Sequence, residues 1–211
     1  MDKEKNKTTL AVLISGEGTN LQAIIDSISA GRLPAEIKVV ISNKEKAGGL
    51  KKAEKANIPT RVLSRIKYKT NDDYCNELAK LIKGYNVDLI VLAGFLLILS
   101  ENFVKEFEGK IINLHPAILP DNIEDDNIVL PDGTVSPVFR GLDTIEKAFK
   151  SGTTYTGCSV HKVTPYVDRG KVIIKEIIKI DKNDTLESLT KKMRKKEHKI
   201  LPEAIRILID E

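Results

Sequence analysis

Short apolar runs alternate with amphipathic stretches along the first half of the chain, and this alternation restricts the folds open to it. We predict strands at residues 9–14, 37–42, 60–63, 87–93 and 110–114. Helices are predicted at residues 21–29, 48–56, 71–83 and 101–107, the last of them after Ser100 as its N-cap. A strand, a helix and a further strand usually form a right-handed crossover between parallel strands. The sequence therefore predicts an α/β fold with a Rossmann-like, doubly wound, mostly parallel sheet.

The second half of the chain has a different pattern. We predict a helix at residues 142–150, two long strands at 155–163 and 172–180, and a C-terminal helix from residue 184. Asp184 and Glu187 have capping-box spacing, and Pro202 should kink this helix or mark a restart. No repeat, low-complexity tract or linker divides the sequence. We therefore predict a single domain over residues 1–211, with a flexible N-terminus at residues 1–8.

Composition and charge narrow the class of protein. With 41% hydrophobic and 30% charged residues, the chain has the composition of a globular protein that can build a full core. Its net charge of +4 suits an anionic small substrate and is too weak to indicate a nucleic-acid partner. Cys75 and Cys158 form neither a metal-binding nor a disulfide pattern, so we expect a reducing cytoplasm. The apolar run at residues 10–14 is too short for a membrane span or a secretory signal.

One predicted strand ends in two polar side chains that could take part in a reaction. Asn113 and His115 are two residues apart, so an extended backbone presents both on the same face. The carboxyl ends of strands are where open α/β sheets place their sites. An amide and an imidazole together can polarise a carbonyl group and move a proton. Taken alone, however, this triplet is more often a turn asparagine and a core histidine.

A glycine-rich turn at residues 15–20 follows the first predicted strand and leads into the first predicted helix. Free backbone amides at a helix start favour an anion. The third glycine of a dinucleotide fingerprint would fall at Leu21, and Ser42 and Asn43 replace its acidic residue. A single phosphate monoester therefore fits this turn better than a pyrophosphate, and a generic strand-to-helix turn fits about equally well.

A carboxylate lies in the connection between the two last strands. Asp168 precedes Arg169 and Gly170 there. If the fold brings Asp168 near His115, it would orient the imidazole and favour its charged form. An aspartate before a glycine is otherwise most often a turn residue.

Five motifs carry a resemblance to a known family. They are residues 13–25, 92–95 (Leu-Ala-Gly-Phe), 113–116 (Asn-Leu-His-Pro), 157–161 and 167–170 (Val-Asp-Arg-Gly). In this order they resemble the phosphoribosylglycinamide formyltransferases, which are folate-dependent formyltransferases. The similarity runs from about Leu10 to the last helix.

The resemblance implies an activity and a set of site residues. The reaction would transfer a formyl group from 10-formyltetrahydrofolate to the amine of 5'-phosphoribosylglycinamide in purine synthesis, without a metal. Asn113, His115 and Asp168 would be catalytic and would stabilise a tetrahedral intermediate. The substrate phosphate would bind Gly18, Thr19 and Asn20, and Glu197 would contact the same substrate. Folate would bind Leu96, Leu97, Ile98, Leu99, Thr164, Pro165, Tyr166 and Val167, largely through backbone groups.

Three places depart from the family pattern. Leu97 stands where many relatives have arginine, and Asp143 where they often have histidine. The segment between Pro120 and Gly141 is longer than expected, and we predict an inserted surface hairpin at residues 121–137. Its turn would be Pro131-Asp132-Gly133, and it would wall the folate entrance beside the catalytic histidine. It should pack on the body or on a partner subunit through Ile128, Leu130 and Val135.

Other functions stay open from the sequence. The main rivals are a deformylase, a formyltransferase with a different acceptor, and a nucleotide-binding module without catalysis. The basic run at residues 191–196 lacks interleaved aromatic residues and indicates a solvated helix face more than a nucleic-acid patch. The expected partners are therefore small-molecule substrates, with no nucleic acid and no membrane, and a homodimer is left open.

Overall fold

The computed structural model describes residues 7–211. A seven-stranded sheet has the strand order β3-β2-β1-β4-β5-β8-β9. The first five strands in this order are parallel, whereas β8 runs antiparallel to both β5 and β9. This confirms the predicted doubly wound, mostly parallel sheet. Thr8 already begins β1, and residues 1–6 of the expected flexible N-terminus lie outside the described residues.

The predicted strands and helices are present with small shifts at their ends. The strands are β1 Thr8–Ile14, β2 Ala35–Ser42, β3 Thr60–Val62, β4 Leu89–Leu92, β5 Ile111–His115, β6 Asn127–Val129, β7 Val135–Pro137, β8 Tyr155–Lys162 and β9 Val172–Lys179. The helices are α1 Thr19–Ser29, α2 Gly48–Lys55, α3 Asn71–Lys83, α4 Glu101–Glu106, α5 Thr144–Ser151 and α6 Leu186–Asp210, and a short 3-10 helix spans Arg65–Lys67.

The sheet is buried on both faces. Along β1, Leu10 and Val12 pack with side chains of α1, α2 and α6, whereas Ala11 and Leu13 pack with side chains of α3 and α4. A strand whose neighbours cover both faces has no solvent-facing side. The continuous apolar runs of the sequence therefore reflect two cores, one on each face.

The strand order reverses next to β1. Its neighbours are β2 on one side and β4 on the other, so the chain crosses over between β3 and β4. Open α/β sheets bind ligands in the crevice at such a switch point, outside the carboxyl ends of the strands. The turns after β1, β4 and β5 therefore meet at one edge of the sheet.

The C-terminal helix differs in detail from its prediction. Thr185 is the N-cap residue, and it forms the capping box with Ser188 instead of the predicted Asp184 and Glu187. The helix continues through Pro202 to Asp210, so this proline does not mark a restart. Within residues 7–211, we find no helix with the length and apolar character needed to cross a membrane.

The predicted hairpin is present after Pro120. Strands β6 and β7 pair antiparallel, the amide of Gly133 donates to the Leu130 carbonyl at 2.9 Å, and Gly133 has a φ of 82°. A left-handed glycine closing a three-residue loop is the bulged turn that was expected. Leu130 is buried, but Val135 is exposed and does not pack on the body, because the adjacent Ser136 faces inward.

Candidate active site

A cavity of about 620 Å³ opens at the carboxyl edge of the sheet. Its wall includes the turns that follow β1, β4, β5 and β8, together with part of α6. Every site residue predicted from the sequence lines this cavity: Gly18, Thr19, Asn20, Leu96, Leu97, Ile98, Leu99, Asn113, His115, Thr164, Pro165, Tyr166, Val167, Asp168 and Glu197. The inserted hairpin does not line it. The cavity wall resumes at Gly141, beyond β7, so the hairpin lies outside the mouth that it was expected to wall.

Four polar side chains form a cluster at the centre of the cavity. Asn113 and His161 are register partners on the antiparallel strands β5 and β8, and Asn113 Nδ2 lies 3.3 Å from His161 Nε2. The same nitrogen of Asn113 donates to Asp168 Oδ1 at 3.5 Å. Asp168 Oδ2 lies 3.4 Å from His115 Nδ1. The expected group of Asn113, His115 and Asp168 therefore meets in space, with His161 as a fourth member.

The imidazole of His115 has an acceptor at each nitrogen. Its Nε2 donates to the Phe139 carbonyl oxygen at 2.8 Å, and its Nδ1 faces Asp168. Burial lowers the pKa of His115 below its usual value, while the negative charge of Asp168 raises it by a smaller amount. The Phe139 carbonyl fixes a proton on Nε2, so Nδ1, beside the Asp168 carboxylate, is the atom that gains or loses a proton.

The Asp168 carboxylate is almost fully covered. Burial by itself raises the pKa of this carboxyl group, but His161, His115 and the amide of Gly141 together outweigh burial and hold the pKa below its usual value. The Gly141 amide donates to Asp168 Oδ2 at 2.8 Å. Asp168 has a φ of 52°, in the left-handed region that few residues other than glycine adopt. A charged group is thus kept in a buried position by several donors.

The glycine-rich turn presents free backbone amides at the start of α1. Gly18 precedes the helix with a φ of 68°, and no side chain caps the first turn. The Gly49 amide donates to the Gly16 carbonyl at 3.1 Å, and a Cβ on Gly18 would lie 2.5 Å from Gly49 Cα. Close packing of two backbone segments therefore requires glycine at position 18. The uncapped amides of Thr19 and Asn20 can donate to an anion.

A buried acid and an exposed cation complete this end of the cavity. Glu197 on α6 accepts from Asn20 Nδ2 at 3.2 Å, and Asn20 Oδ1 is buried without a hydrogen-bond partner. Burial raises the pKa of Glu197, against the opposing effects of Asn20 and Arg194. Arg194, one helical turn before Glu197, also lines the cavity. An unpaired acceptor, a buried carboxyl and an arginine beside free amides suit a polar substrate with an anionic group.

Another part of the cavity wall is apolar and built from two loops. Leu96, Ile98, Tyr166 and Val167 are exposed there, although they are large apolar side chains. The first loop is fixed by Ser15, whose Oγ accepts from the Leu96 amide at 2.8 Å. Exposed apolar side chains around a cavity are typical of a site for a partly apolar ligand.

Four contributors to the site were not predicted as site residues from the sequence: His161, Arg194, Phe139 and Gly141. Arg194 was assigned to a solvated face, and it is exposed, but it points into the cavity wall. Phe139 and Gly141 act through backbone atoms, which no residue type reveals. Their only signal was their position at the end of the long segment before Asp143. Within residues 7–211, His, Cys, Asp and Glu side chains form no group of three or more that could hold a metal ion.

Comparisons with known proteins agree with this geometry. Residues 8–205 match the formyl transferase family. The chain is 45% identical to the phosphoribosylglycinamide formyltransferase of Dictyostelium discoideum, over 94% of this chain and 97% of that protein. A crystal structure of glycinamide ribonucleotide transformylase 1 from Symbiobacterium toebii superposes with a TM-score of 0.86 at 33% identity, covering 98% of this chain and 89% of that one.

A longer human protein is also similar. The chain is 39% identical to the trifunctional purine biosynthetic protein adenosine-3 of Homo sapiens over 97% of its own length, and it spans 19% of that relative. The match to the Dictyostelium protein, by contrast, covers nearly all of both chains. The family match extends over almost the whole described part of this chain. The chain therefore belongs to the formyl transferase family, together with the phosphoribosylglycinamide formyltransferases.

Proposed function

We propose that this protein transfers the formyl group of 10-formyltetrahydrofolate to the amine of 5'-phosphoribosylglycinamide, a step of purine (IMP) biosynthesis. Membership of the formyl transferase family and the names of the relatives support this activity. The observation that carries it is the combination of groups in one cavity. An anion-binding turn, exposed apolar side chains, and the cluster of Asn113, His115 and Asp168 all line it.

The anionic substrate occupies the end of the cavity near α1. Amides of Thr19 and Asn20 donate to its phosphate, and the helix start adds a favourable field. Asn20 Oδ1 and the Glu197 carboxyl accept hydrogen bonds from its hydroxyl or amine groups. Glu197 in this position favours a substrate that carries donors, because a buried acceptor without a donor costs free energy.

The folate cosubstrate occupies the apolar end. Leu96 to Leu99 and Thr164 to Val167 contact its ring system, and its reactive nitrogen and formyl group face the polar cluster. The fit is supported by the exposed apolar side chains there. The leucine at position 97 is partly buried against the core on this side, so it supports the loop by packing.

The chemistry uses each member of the cluster once. In the substrate complex Asn113 Nδ2 gives up its long contact of 3.5 Å with Asp168 and donates to the formyl oxygen as negative charge develops on it, a contribution worth about 3 kcal/mol per donor in other enzymes. The His115 Nδ1 lone pair takes a proton from the attacking amine, and the imidazolium that results is stabilised by Asp168. The proton then passes toward the departing folate nitrogen. His161 Nε2 lies 3.3 Å from Asn113 Nδ2 and 3.4 Å from Asp168 Oδ1, so it helps to hold both side chains in place.

Two alternatives use the same cavity differently. A deformylase or a formyltransferase with another acceptor would need the same cluster but no anion-binding turn. A nucleotide-binding module without catalysis would need the turn but not three converging catalytic side chains. The presence of both features favours the transfer reaction with a phosphorylated acceptor.

The test is an acceptor comparison with purified protein. Formyl transfer from 10-formyltetrahydrofolate, followed by folate absorbance, should be fast with 5'-phosphoribosylglycinamide and slow with the riboside that lacks phosphate. Water, glycine and tRNA should give no turnover above background, and neither ATP nor added metal should be required. Equal rates with and without phosphate would overturn the assignment of the turn at Gly18, and turnover with water alone would indicate a deformylase.

We also propose that the protein acts in the cytoplasm and as a homodimer. The two cysteines among the described residues, Cys75 and Cys158, are buried thiols, which suits a reducing compartment. Val129 and Val135 are exposed on the hairpin and support a contact between two copies. Sedimentation equilibrium should give twice the chain mass. A monomer at all concentrations would contradict the proposed homodimer.

A further inference from the structure

Two arginines tie the segment after Pro120 to the turn that carries Asp168. Arg140 Nη1 and Arg169 Nη2 both donate to Asp126 Oδ1, at 2.8 Å and 2.6 Å. This shared carboxylate oxygen links Arg140, just beyond the hairpin, to Arg169, the residue after Asp168. We call Asp126, Arg140 and Arg169 the arginine clamp.

Backbone carbonyls extend the arginine clamp. Arg140 Nη2 donates to the Asp125 carbonyl at 2.7 Å, and Arg169 Nη1 donates to the Ile123 carbonyl at 3.0 Å. Each guanidinium therefore bonds to at least two groups of residues 123–126. Lysine has a single nitrogen and cannot reproduce this bonding, because it lacks the planar fork of arginine.

The arginine clamp reaches Asp168 directly. Arg140 Nε donates to the Asp168 carbonyl oxygen at 3.4 Å, and the next amide, that of Gly141, donates to the Asp168 carboxylate at 2.8 Å. Adjacent groups of one segment thus hold both the backbone and the side chain of Asp168. This residue has the left-handed φ of 52°, a conformation that persists only where its surroundings impose it.

Burial distinguishes these contacts from an ordinary surface ion pair. The Arg140 side chain is only 16% exposed and that of Arg169 29%, although Asp126 itself is 67% exposed. Exposed ion pairs contribute little to stability. Two guanidinium groups that are largely covered and bonded to several carbonyls are restricted in position, which suits them to hold a turn in place.

We propose that the arginine clamp is a positioning device that holds the Asp168 carboxylate at His115 for proton transfer. The inference rests on the catalytic role of Asp168 given above. The inserted segment supplies Asp126 and the accepting carbonyls. It therefore acts on the reaction through Asp168, although it does not line the cavity. A displacement of about 1 Å at a reacting group can lower a rate by about 100-fold.

The experiment compares three single variants. Arg140→Ala and Asp126→Asn should each lower kcat by about 10- to 100-fold with little change in KM, since the substrate-binding ends of the cavity are untouched. Asp121→Asn is the matched control, because Asp121 begins the same segment and pairs with Lys175 at 2.8 Å, away from Asp168. This control should keep the wild-type kcat. Asp126 is exposed, so its variant should fold even if Arg140→Ala does not, and far-ultraviolet circular dichroism checks both.

A double variant separates positioning from a general structural role. If Arg140 acts through Asp168, then Arg140→Ala should cost little further kcat once Asp168→Asn is present. An equal further loss in that background would overturn the positioning role. If Asp126→Asn and Arg140→Ala both keep the wild-type kcat while Asp168→Asn is strongly impaired, the positioning role of the arginine clamp is refuted. The catalytic role of Asp168 is then unaffected. Wild-type kcat for Asp168→Asn would instead refute the catalytic role of Asp168, and the inference with it.

Discussion

The Nε2 atom of His115 donates to the carbonyl oxygen of Phe139 at 2.8 Å. This bond selects one tautomer and directs Nδ1 toward Asp168 and the polar cluster. The acceptor is a backbone atom at the end of the long segment after Pro120. The segment that differs most from the expected family pattern is therefore joined to the central imidazole of the candidate site.

His115 should titrate below the usual range for a histidine. Burial is the larger influence on its pKa and lowers it, whereas the charge of Asp168 raises it. Asp168→Asn removes only the raising influence, so the midpoint should move to still lower pH. NMR titration of the His115 Cε1–H resonance measures both midpoints. A wild-type midpoint above 6.5, or an upward shift in the variant, would contradict the balance described here.

His115→Ala and Asp168→Asn should lower kcat far more than they raise KM. Each removes a group that acts on the proton or the developing charge, and general acid–base contributions are commonly about 100- to 10,000-fold. The double variant should lose less than the product of the two single losses, because the side chains lie 3.4 Å apart and act as a pair. Steady-state kinetics of all three variants checks this. Multiplicative losses would show that the two residues act independently.

Glu197→Gln should stabilise the free protein while weakening substrate binding. Burial raises the pKa of Glu197 above 4.5, so the folded state binds its proton more tightly than the unfolded state. Wild-type stability is therefore lost as pH rises from about 4.5 through the raised pKa, and the glutamine variant escapes that loss. Chemical denaturation at pH 4 and pH 8 should show a larger gain at pH 8.

The control for this prediction is Glu54→Gln, which changes an exposed acid on α2 and should show no such pH-dependent gain. A glutamine variant at position 197 that is less stable than wild type at pH 8 would mean that the ionised carboxylate stabilises the fold.

Arg194→Ala should raise KM for 5'-phosphoribosylglycinamide and leave kcat nearly unchanged. Arg194 lies in the cavity wall with the turn at Gly18, and a lost charge-assisted contact to phosphate costs about 1.5–3 kcal/mol. Lys195→Ala on the same helix is the matched control, since Lys195 is exposed but does not line the cavity. Isothermal titration with the phosphorylated substrate and its riboside measures the effect. Equal weakening of both ligands would show that Arg194 does not contact the phosphate.

Local patterns in the sequence predicted most of the fold and a few site residues, and the resemblance to the phosphoribosylglycinamide formyltransferases supplied the other predicted site residues. Asn113 and His115 share a face because strand periodicity requires it, and the turn at Gly133 follows from residue types that close a hairpin. These predictions use only residues that are close together in the sequence. They can therefore be made without knowledge of tertiary packing.

The remaining parts depend on contacts between distant segments. His161 joins the cluster because β8 pairs antiparallel with β5 in a register that places it opposite Asn113. Phe139 and Gly141 contribute backbone atoms, and the bond between Arg140 and Asp126 spans a hairpin. Residue type alone carries no signal for such contacts, so only the three-dimensional structure reveals them.

Label transfer tests the central claim most directly. Wild-type protein is mixed with 10-formyltetrahydrofolate that carries carbon-13 in the formyl group and with 5'-phosphoribosylglycinamide, and the carbon spectrum is followed. The account predicts that the label moves to a formamide carbon on the ribonucleotide, and that His115→Ala slows this movement by at least about 100-fold. Label that accumulates as free formate, or label transfer at the wild-type rate in the variant, would contradict it.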